Sequence, residues 1–220
     1  MAKLVAMMLA VALWALSALA QEPASQQISE ELKAALQAKG SPERGKAMFR
    51  QCQDCHGADA SGRTSGLYPR LAGQHATVLM KQITDMLAGR RINRKMGFYF
   101  DDHVLKSGDI ADIAVYLRGL PISTKNGKGP GIGDIAAGKK LYEKDCVICH
   151  GAKGEGNAEK FYPMVAAQHF GYLARQLQYI RDGDRGNSNP DMVKLLKSSY
   201  MSTDLEAVAA YMAQLPPPKK

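Results

Sequence analysis

Cys52-Gln53-Asp54-Cys55-His56 is a C-x-x-C-H pentapeptide, and the pattern returns once as Cys146-Val147-Ile148-Cys149-His150. The two copies use all 4 cysteines of the 220-residue chain. This is the attachment pattern of c-type haem, because two thiols one helical turn apart can bond to both vinyl groups of one porphyrin while the adjacent histidine ligates the iron. We therefore predict two covalently bound haem c groups, held by Cys52, Cys55, Cys146 and Cys149 and ligated by His56 and His150.

Two other kinds of site also use paired cysteines. A redox-active C-x-x-C lowers the pKa of one thiol but does not require a following histidine. A zinc site draws on two pairs that are about 15 to 20 residues apart, whereas these two pairs are 94 residues apart. The adjacent histidine in both copies therefore favours haem over either alternative.

Residues 1–20 have the features of a secretory signal peptide. Lys3 gives a positive start, Leu4 to Leu19 form an apolar run, and Ala18-Leu19-Ala20 is an A-x-A cleavage site. An uncleaved anchor is the alternative, although the apolar run is slightly shorter than the roughly 20 residues of a membrane-spanning helix. Export predicts a location in the bacterial periplasm.

The formal net charge of +8 at pH 7 falls to +7 once Lys3 is removed. A positive balance favours encounters with acidic partner surfaces or with anionic lipid. Nucleic acid is not an expected partner of an exported protein. We expect redox protein partners, and peripheral membrane association stays open.

The two motifs belong to a repeat with a period of 94 residues. Tyr68-Pro69 is matched by Tyr162-Pro163, and Gln74-His75 is matched by Gln168-His169. This period is too long for a solenoid repeat and indicates a duplicated small domain with one haem in each copy. The predicted division is a signal peptide (1–20), an N-terminal segment (21–40), a first half (41–121), a linker (122–132), a second half (133–216) and a tail (217–220).

Each half has the pattern of an all-α domain: a helix, the motif, a loop, a helix, a polar loop and a last helix, with no strand-like alternation. Ser41 and Asp134 are predicted to cap the first helix of each half, and Pro42 occupies the first helical position after Ser41. Thr203 with Glu206 three residues on is predicted as a capping box for the last helix. A short helix is also predicted over residues 30–39.

Alignment of the halves reduces the 11 methionines to one matched pair of axial ligand candidates. Met96 and Met192 follow the first cysteine of their motifs by 44 and 46 residues, and both are predicted in the polar loop rather than on an apolar helical stripe. We predict that they ligate the irons opposite the histidines, since a neutral thioether there raises the reduction potential. Met201 competes for the second haem. The remaining candidates are expected to be core fillers: Met48, Met80, Met86 and Met164.

The matched His75 and His169 are the other ligand candidates, but bis-histidine ligation would leave the two methionines unexplained. Both begin a helix, where capping or contact with a haem carboxylate is the ordinary role. His103 has no counterpart in the second half and is expected at the surface. The carbonyls of Pro69 and Pro163 are predicted to accept the second ring nitrogen of each motif histidine.

The repeated Tyr-Pro-x-x-Ala-x-Gln-His stretch is followed by a Lys-Gln or Arg-Gln helix, a Met loop and a last helix with Ala-x-Tyr. This combination resembles the dihaem cytochrome c4 family over about residues 40–215, and Leu71–His75 and Val165–His169 carry most of the likeness. The resemblance implies two tandem class I cytochrome c domains, each wrapped round one covalent haem, that face each other with haem edges close. It also implies a periplasmic, often membrane-associated carrier that passes electrons to a terminal oxidase. Met96 departs from the usual loop, because an aromatic run follows at residues 98–100.

Three functions stay open on the sequence. The leading one is a mobile dihaem carrier between respiratory-chain components, which has no catalytic residues and no substrate of its own. The second is a dihaem peroxidase-like enzyme, which requires an open or displaceable ligand on one iron. The third is the electron-accepting cytochrome subunit of a dehydrogenase.

Overall fold

The computed structural model describes residues 28–102, 105–129 and 134–218, so the predicted signal peptide and His103 lie outside the described residues. Within those ranges the chain is helical, without strands, and has one isolated bridge between Asn157 and Tyr162. The prediction of an all-α fold is confirmed. The first half and its preceding segment contain α1 (Glu30–Gln37), α2 (Pro42–Phe49), a 3-10 turn (Arg50–Cys52), α3 (Gln53–His56), α4 (Ala76–Leu87), α5 (Arg94–Asp102) and α6 (Ser107–Gly119). The second half contains α7 (Ile135–Leu141), a π-helical turn (Tyr142–Cys146), α8 (Val147–His150), α9 (Phe170–Asp182), α10 (Pro190–Ser199) and α11 (Ser202–Gln214).

The methionine segments are helices, and the prediction of polar loops there was wrong. Met96 lies in α5, and Met192 is the third residue of α10. The Asn189 side chain caps α10 by accepting the backbone N–H of Asp191 at 2.8 Å, and Pro190 occupies the first helical position. A side-chain cap, together with a proline whose fixed φ already suits a helix, can start a helix even where the composition is polar.

The predicted caps of the two first helices are confirmed. The Ser41 hydroxyl accepts the N–H of Arg44 at 3.3 Å, and the Asp134 carboxylate accepts the N–H of Ala137 at 2.9 Å. The capping box at Thr203 was wrong, because α11 begins at Ser202 and Asp204 takes the third helical position. The Asp204 carboxylate accepts the N–H of Met201 at 2.8 Å.

The first and last helices of each half cross in direct contact. A Cβ atom built on Gly45 of α2 would lie 2.0 Å from the carbonyl oxygen of Asp112 in α6, so only glycine permits this approach. Gly138 of α7 is equally close to Ala207 of α11. Phe49 is fully buried at the end of the first crossing. Each half builds its own apolar core around this crossing, and the haem motif follows directly from it.

The two halves face each other through matched contacts. The Gln74 side chain accepts the N–H of Met164 at 2.9 Å and donates to its carbonyl at 3.0 Å. Gln168 makes the same pair of bonds with the backbone of Arg70, both at 2.9 Å. Gln74 and Gln168 are counterparts 94 residues apart, and so are Arg70 and Met164. Because the repeat therefore relates one contact to the other, the halves are arranged about a pseudo-two-fold axis.

The Arg70 side chain breaks this symmetry, since its counterpart is Met164. Its guanidinium is buried and donates across the interface to the carbonyls of Ala167 at 3.1 Å and Ala166 at 2.9 Å, and within its own half to that of Ala72. Carbonyl oxygens thus accept the hydrogen bonds of this guanidinium, and two of these bonds connect the halves.

Candidate haem sites

Each motif ends in a tight turn that returns the chain to the pocket. Gly57 and Gly151 directly follow the motif histidines and both have φ of 79°, in the region that favours glycine. Their N–H groups donate to the carbonyls of Gln53 at 2.8 Å and Val147 at 2.9 Å, which closes the short helix. Each histidine is therefore held at the last turn of a helix.

Both motif histidines are buried and are oriented by a proline carbonyl. His56 donates Nδ1–H to Pro69 O at 3.1 Å, and His150 donates Nδ1–H to Pro163 O at 3.0 Å. The predicted role of these two carbonyls is confirmed. Since the proton lies on Nδ1, Nε2 keeps its lone pair for a metal. Burial lowers the pKa of both imidazoles, although the carbonyl bond opposes this, so the neutral ligating form is favoured.

One connected cavity of about 1310 Å³ is lined by residues of both halves. Typical sites for a single ligand have about 300–1,000 Å³, so this cavity has room for two large groups. His56 and His150 line it, together with Cys52, Cys146 and Cys149. Cys55 is half-buried on the same short helix but is not among the lining residues.

The two predicted methionine ligands line the same cavity, in agreement with a role opposite the histidines. Met96 and Met192 both contribute to its wall, and Met192 is packed against the apolar core of the second half. The competitor Met201 is 70% exposed and does not line the cavity. Met80 and Met164 are buried, as expected of core fillers, although Met164 and Met86 also line the cavity.

His75 and His169 do not line the cavity and serve the interface instead. His75 donates Nε2–H to Glu155 O at 2.7 Å, and His169 donates Nε2–H to Ser61 O at 2.7 Å, each in the opposite half. His169 Nδ1 also accepts the N–H of Gly127 at 3.0 Å. The expectation of capping or contact with a haem carboxylate is therefore replaced by a cross-interface bond to a carbonyl.

The first thiol of each motif does not have the lowered pKa that is typical of a redox-active pair. Burial raises the pKa of Cys52 to about 11 and that of Cys146 to about 12, whereas a reactive dithiol requires a lowered pKa. Among the residues that the structure describes, no three His, Cys, Asp or Glu side chains come together as metal ligands, as a zinc site requires.

A cluster of two arginines and two glutamines at the interface was missed by the sequence reasoning, and only Arg91 of the four is fully buried. Arg91 donates to Gln82 Oε1 at 2.8 Å and to Gln176 Oε1 at 3.1 Å. Arg185 donates to the same two oxygens at 3.0 Å each, and all four residues line the cavity. Arg91 and Arg185 are 94 residues apart, so the repeat itself contained the signal.

The nearest buried carboxylate, Asp85, already has its own cations. It accepts from Lys81 at 2.7 Å, from Arg90 at 2.8 Å and from the Asn187 amide at 2.8 Å. Burial raises the pKa of Asp85, but these bonds outweigh burial and hold the pKa below its usual value. Asp85 therefore stays charged and fully partnered on the first-half side of the interface.

The residues present fit two haem groups. The cavity is large enough, each half presents a buried histidine with a free Nε2 and a methionine, and three of the four motif cysteines line the wall. Within the described ranges, no helix is both long and apolar enough to cross a membrane.

Comparison with known proteins gives consistent results. The family described as cytochrome c matches residues 42–121 and 135–216. A protein named cytochrome c4 from Pseudomonas aeruginosa is 30% identical over 190 residues, which covers 81% of this chain and 90% of that protein. A thiosulfate dehydrogenase electron acceptor from Stutzerimonas stutzeri is 31% identical over 172 residues, covering 74% of this chain and 78% of that protein.

A solved structure repeats the architecture. The crystal structure of reduced recombinant cytochrome c4 from Pseudomonas stutzeri superposes with a TM-score of 0.69 at 29% identity, covering 80% of this chain and 100% of that chain. Both motif-bearing halves match one family, and relatives of the two-half type align along most of the chain. The protein therefore belongs to the cytochrome c family and, within it, to the cytochromes c4, which are electron-transfer proteins rather than enzymes and carry two covalently bound haem c groups.

Proposed function

We propose that this protein is a periplasmic electron carrier that delivers electrons to a terminal oxidase. In this proposal Cys52 and Cys55 attach the first haem and Cys146 and Cys149 the second. His56 and Met96 would ligate the first iron, and His150 and Met192 would ligate the second. The observation that carries the proposal is that each half presents a buried, proline-oriented histidine and a matched methionine to one shared cavity.

The bound haems supply one-electron exchange between ferrous and ferric iron. The residues around each haem determine whether this exchange serves electron transport or catalysis. With a histidine and a methionine assigned to each iron, no position is left for a small substrate, which supports a carrier over a peroxidase-like enzyme. Neutral thioether ligands from Met96 and Met192 would favour ferrous iron and so raise both reduction potentials. The contacts across the interface hold the two sites at a fixed separation.

The surface charge supports an acidic partner for the first half. Residues 41–121 contain 12 Lys and Arg against 8 Asp and Glu, whereas residues 133–216 contain 10 of each. The two C-x-x-C-H motifs also differ at their third residue, which is Asp54 in the first half and Ile148 in the second. The Ile148 side chain is 89% exposed. We infer that electrostatic steering acts through the first half.

Stopped-flow oxidation of the reduced, fully loaded protein by membranes containing a terminal oxidase tests this function. We expect rapid oxidation of both haems, with a rate that falls as salt is raised because salt screens the steering charges. The same sample is checked for two haems per chain and for the absorption spectrum of low-spin ferric iron. Failure of these membranes to oxidise the protein faster than buffer alone would refute the oxidase as acceptor.

The second candidate is the electron-accepting subunit of a dehydrogenase. It is supported by the relative from Stutzerimonas stutzeri that is named a thiosulfate dehydrogenase electron acceptor. Gentle purification at low salt separates the two functions. A stable complex with a larger catalytic chain, reduced when that enzyme's substrate is added, favours the subunit, whereas elution as a lone chain favours the mobile carrier.

A further inference from the structure

The residue directly before each haem motif accepts a hydrogen bond from a tyrosine of the methionine segment in the same half. In the first half the Tyr99 hydroxyl, on α5, donates to Gln51 Oε1 at 2.8 Å. In the second half the Tyr200 hydroxyl, directly after α10, donates to Asp145 Oδ2 at 2.7 Å. Gln51 and Asp145 are counterparts 94 residues apart. The two halves therefore share this contact, but the acceptor is a neutral amide in the first and a carboxylate in the second.

The Asp145 carboxylate lies at the second haem site. Asp145 directly precedes Cys146 and lines the shared cavity, and its side chain is only 16% exposed. Tyr200, which orients the carboxylate, is buried and lines the same cavity. Burial raises the pKa of the Cys146 thiol to about 12, and the charge of Asp145 adds to the rise. The carboxylate thus acts electrostatically on the sulfur to which the second haem would attach.

A neighbouring lysine offsets the charge of Asp145 only in part. The Lys144 ammonium lies 3.3 Å from Asp145 Oδ2, but the Lys144 side chain is 70% exposed, so water screens this ion pair. In the first half the position has no charge to offset, because Gln51 is neutral. Gln51 is also exposed and does not line the cavity. The electrostatic environment at this position is therefore different for the two haems.

A carboxylate beside a haem acts on the reduction potential of the iron. Ferric iron carries one more positive charge than ferrous iron, so a fixed negative charge nearby favours the ferric state and lowers the potential. We propose that Asp145, held by Tyr200 beside Cys146, lowers the reduction potential of the second haem. Gln51 has no such effect on the first haem. The proposal rests on the proposed attachment of the second haem at Cys146 and Cys149, and it makes two otherwise matched sites unequal.

Redox titration of the fully loaded protein, followed by absorption spectra, tests the role of Asp145. We expect Asp145→Asn to raise the potential of one haem and to leave the other nearly unchanged. Asparagine keeps an oxygen that can accept from the Tyr200 hydroxyl and removes only the charge. Glu143→Gln is the matched control: it removes a carboxylate two residues away whose side chain is 56% exposed, so it should shift either potential much less. Equal shifts of both haems, or a shift no larger than the control's, would overturn the proposal.

A second variant places the charge in the other half. Gln51→Glu keeps an acceptor for the Tyr99 hydroxyl and should lower the potential of the haem that Asp145→Asn leaves unchanged. The shift should be smaller than that of Asp145→Asn, because Gln51 is exposed and water screens the new carboxylate. If both variants shift the same haem, the charge does not act within its own half and the proposal is wrong.

Two further measurements separate this proposal from the proposed haem sites. Haem content is measured first: fewer than two haems per chain in the wild-type protein refutes the proposed attachment, on which the role of Asp145 depends. Met192→Leu then marks the second haem by the loss of its Met-to-iron charge-transfer band, and a rise of the other haem's potential in Asp145→Asn contradicts the role of Asp145. An unchanged band refutes the proposed ligand, and the comparison with Glu143→Gln still decides on Asp145.

Discussion

At the scale of single residues, the haem site depends on short bonds made close to each motif. Each motif histidine bonds to a proline carbonyl 13 residues further along the chain, so the repeat of Tyr-Pro after C-x-x-C-H was enough to predict this contact. The proposed methionine ligands, Met96 and Met192, lie further along the chain and reach the cavity wall from separate helices. They are the residues whose role is tested most directly by substitution.

Replacing Met192 with leucine should remove the Met-to-iron charge-transfer band of one haem and lower that haem's potential, because leucine keeps the volume but has no sulfur ligand. The other haem should keep its band, so roughly half of the intensity remains. Absorption spectroscopy with redox titration measures both effects. Met201→Leu, at an exposed position outside the cavity, is the matched control, and a full band in Met192→Leu would refute the ligand assignment.

Acid should weaken the interface through His169. Burial and the charge of Arg70 lower the pKa of this imidazole, although its bond to Ser61 O opposes the shift. Below about pH 6.5 the unfolded chain takes up a proton that the folded His169 does not, so the free energy of unfolding falls by up to about 1.4 kcal/mol per pH unit until the folded pKa is reached. Denaturant unfolding at several pH values measures this, and His169→Asn should show a smaller pH dependence. An equal dependence in both proteins would exclude His169 as its source.

At the scale of elements, the helices with a regular apolar period were predictable and the methionine segments were not. The cores follow from the period of α4, α6, α9 and α11. The polar composition around Met96 and Met192 indicated loops, yet Asn189 and Pro190 supply a helix start that the composition concealed. The start of α11 was misplaced by two residues because Asp204 competes with Glu206 for the same capping position.

The glycine at the first helix crossing is expected to be intolerant of even one added carbon. In Gly45→Ala the new Cβ would lie 2.0 Å from Asp112 O, so α2 and α6 must separate, at a cost of about 1–3 kcal/mol. Gly108→Ala, in α6 with no atom within 4 Å of the added Cβ, is the control and should be neutral or slightly stabilising. Urea unfolding followed by circular dichroism compares the two, and similar stabilities would contradict the close crossing.

At the scale of the whole molecule, the sequence predicted two halves but not how they join. The reciprocal bonds of Gln74 and Gln168, and the arginine–glutamine cluster, exist only once the halves have docked. No local pattern indicates such contacts. The matched positions of these residues in the repeat are visible in the sequence, but a match alone does not separate an interface residue from one that each half uses internally.

Each half should hold its haem independently, because each has its own core and its own motif. Cys149→Ala is expected to weaken or lose one haem while the first half keeps its own. Haem-to-protein stoichiometry, with mass spectrometry to locate the remaining attachment, measures this. Cys55→Ala is the reciprocal variant and should affect only the first half. Normal retention of both haems, or loss of both, would refute independent attachment.

The reciprocal glutamine bonds also have a bearing on how this chain arose. A patch that meets its own counterpart across a two-fold axis is what an ancestral homodimer of single-haem subunits would present. Two separate subunits dissociate when the protein is diluted. Two subunits joined by a short linker meet at an effective concentration of about millimolar, whatever the concentration of the protein. Two covalently joined copies are free to diverge, and Arg70, whose counterpart in the repeat is Met164, is a difference that no symmetric dimer could carry on one side alone.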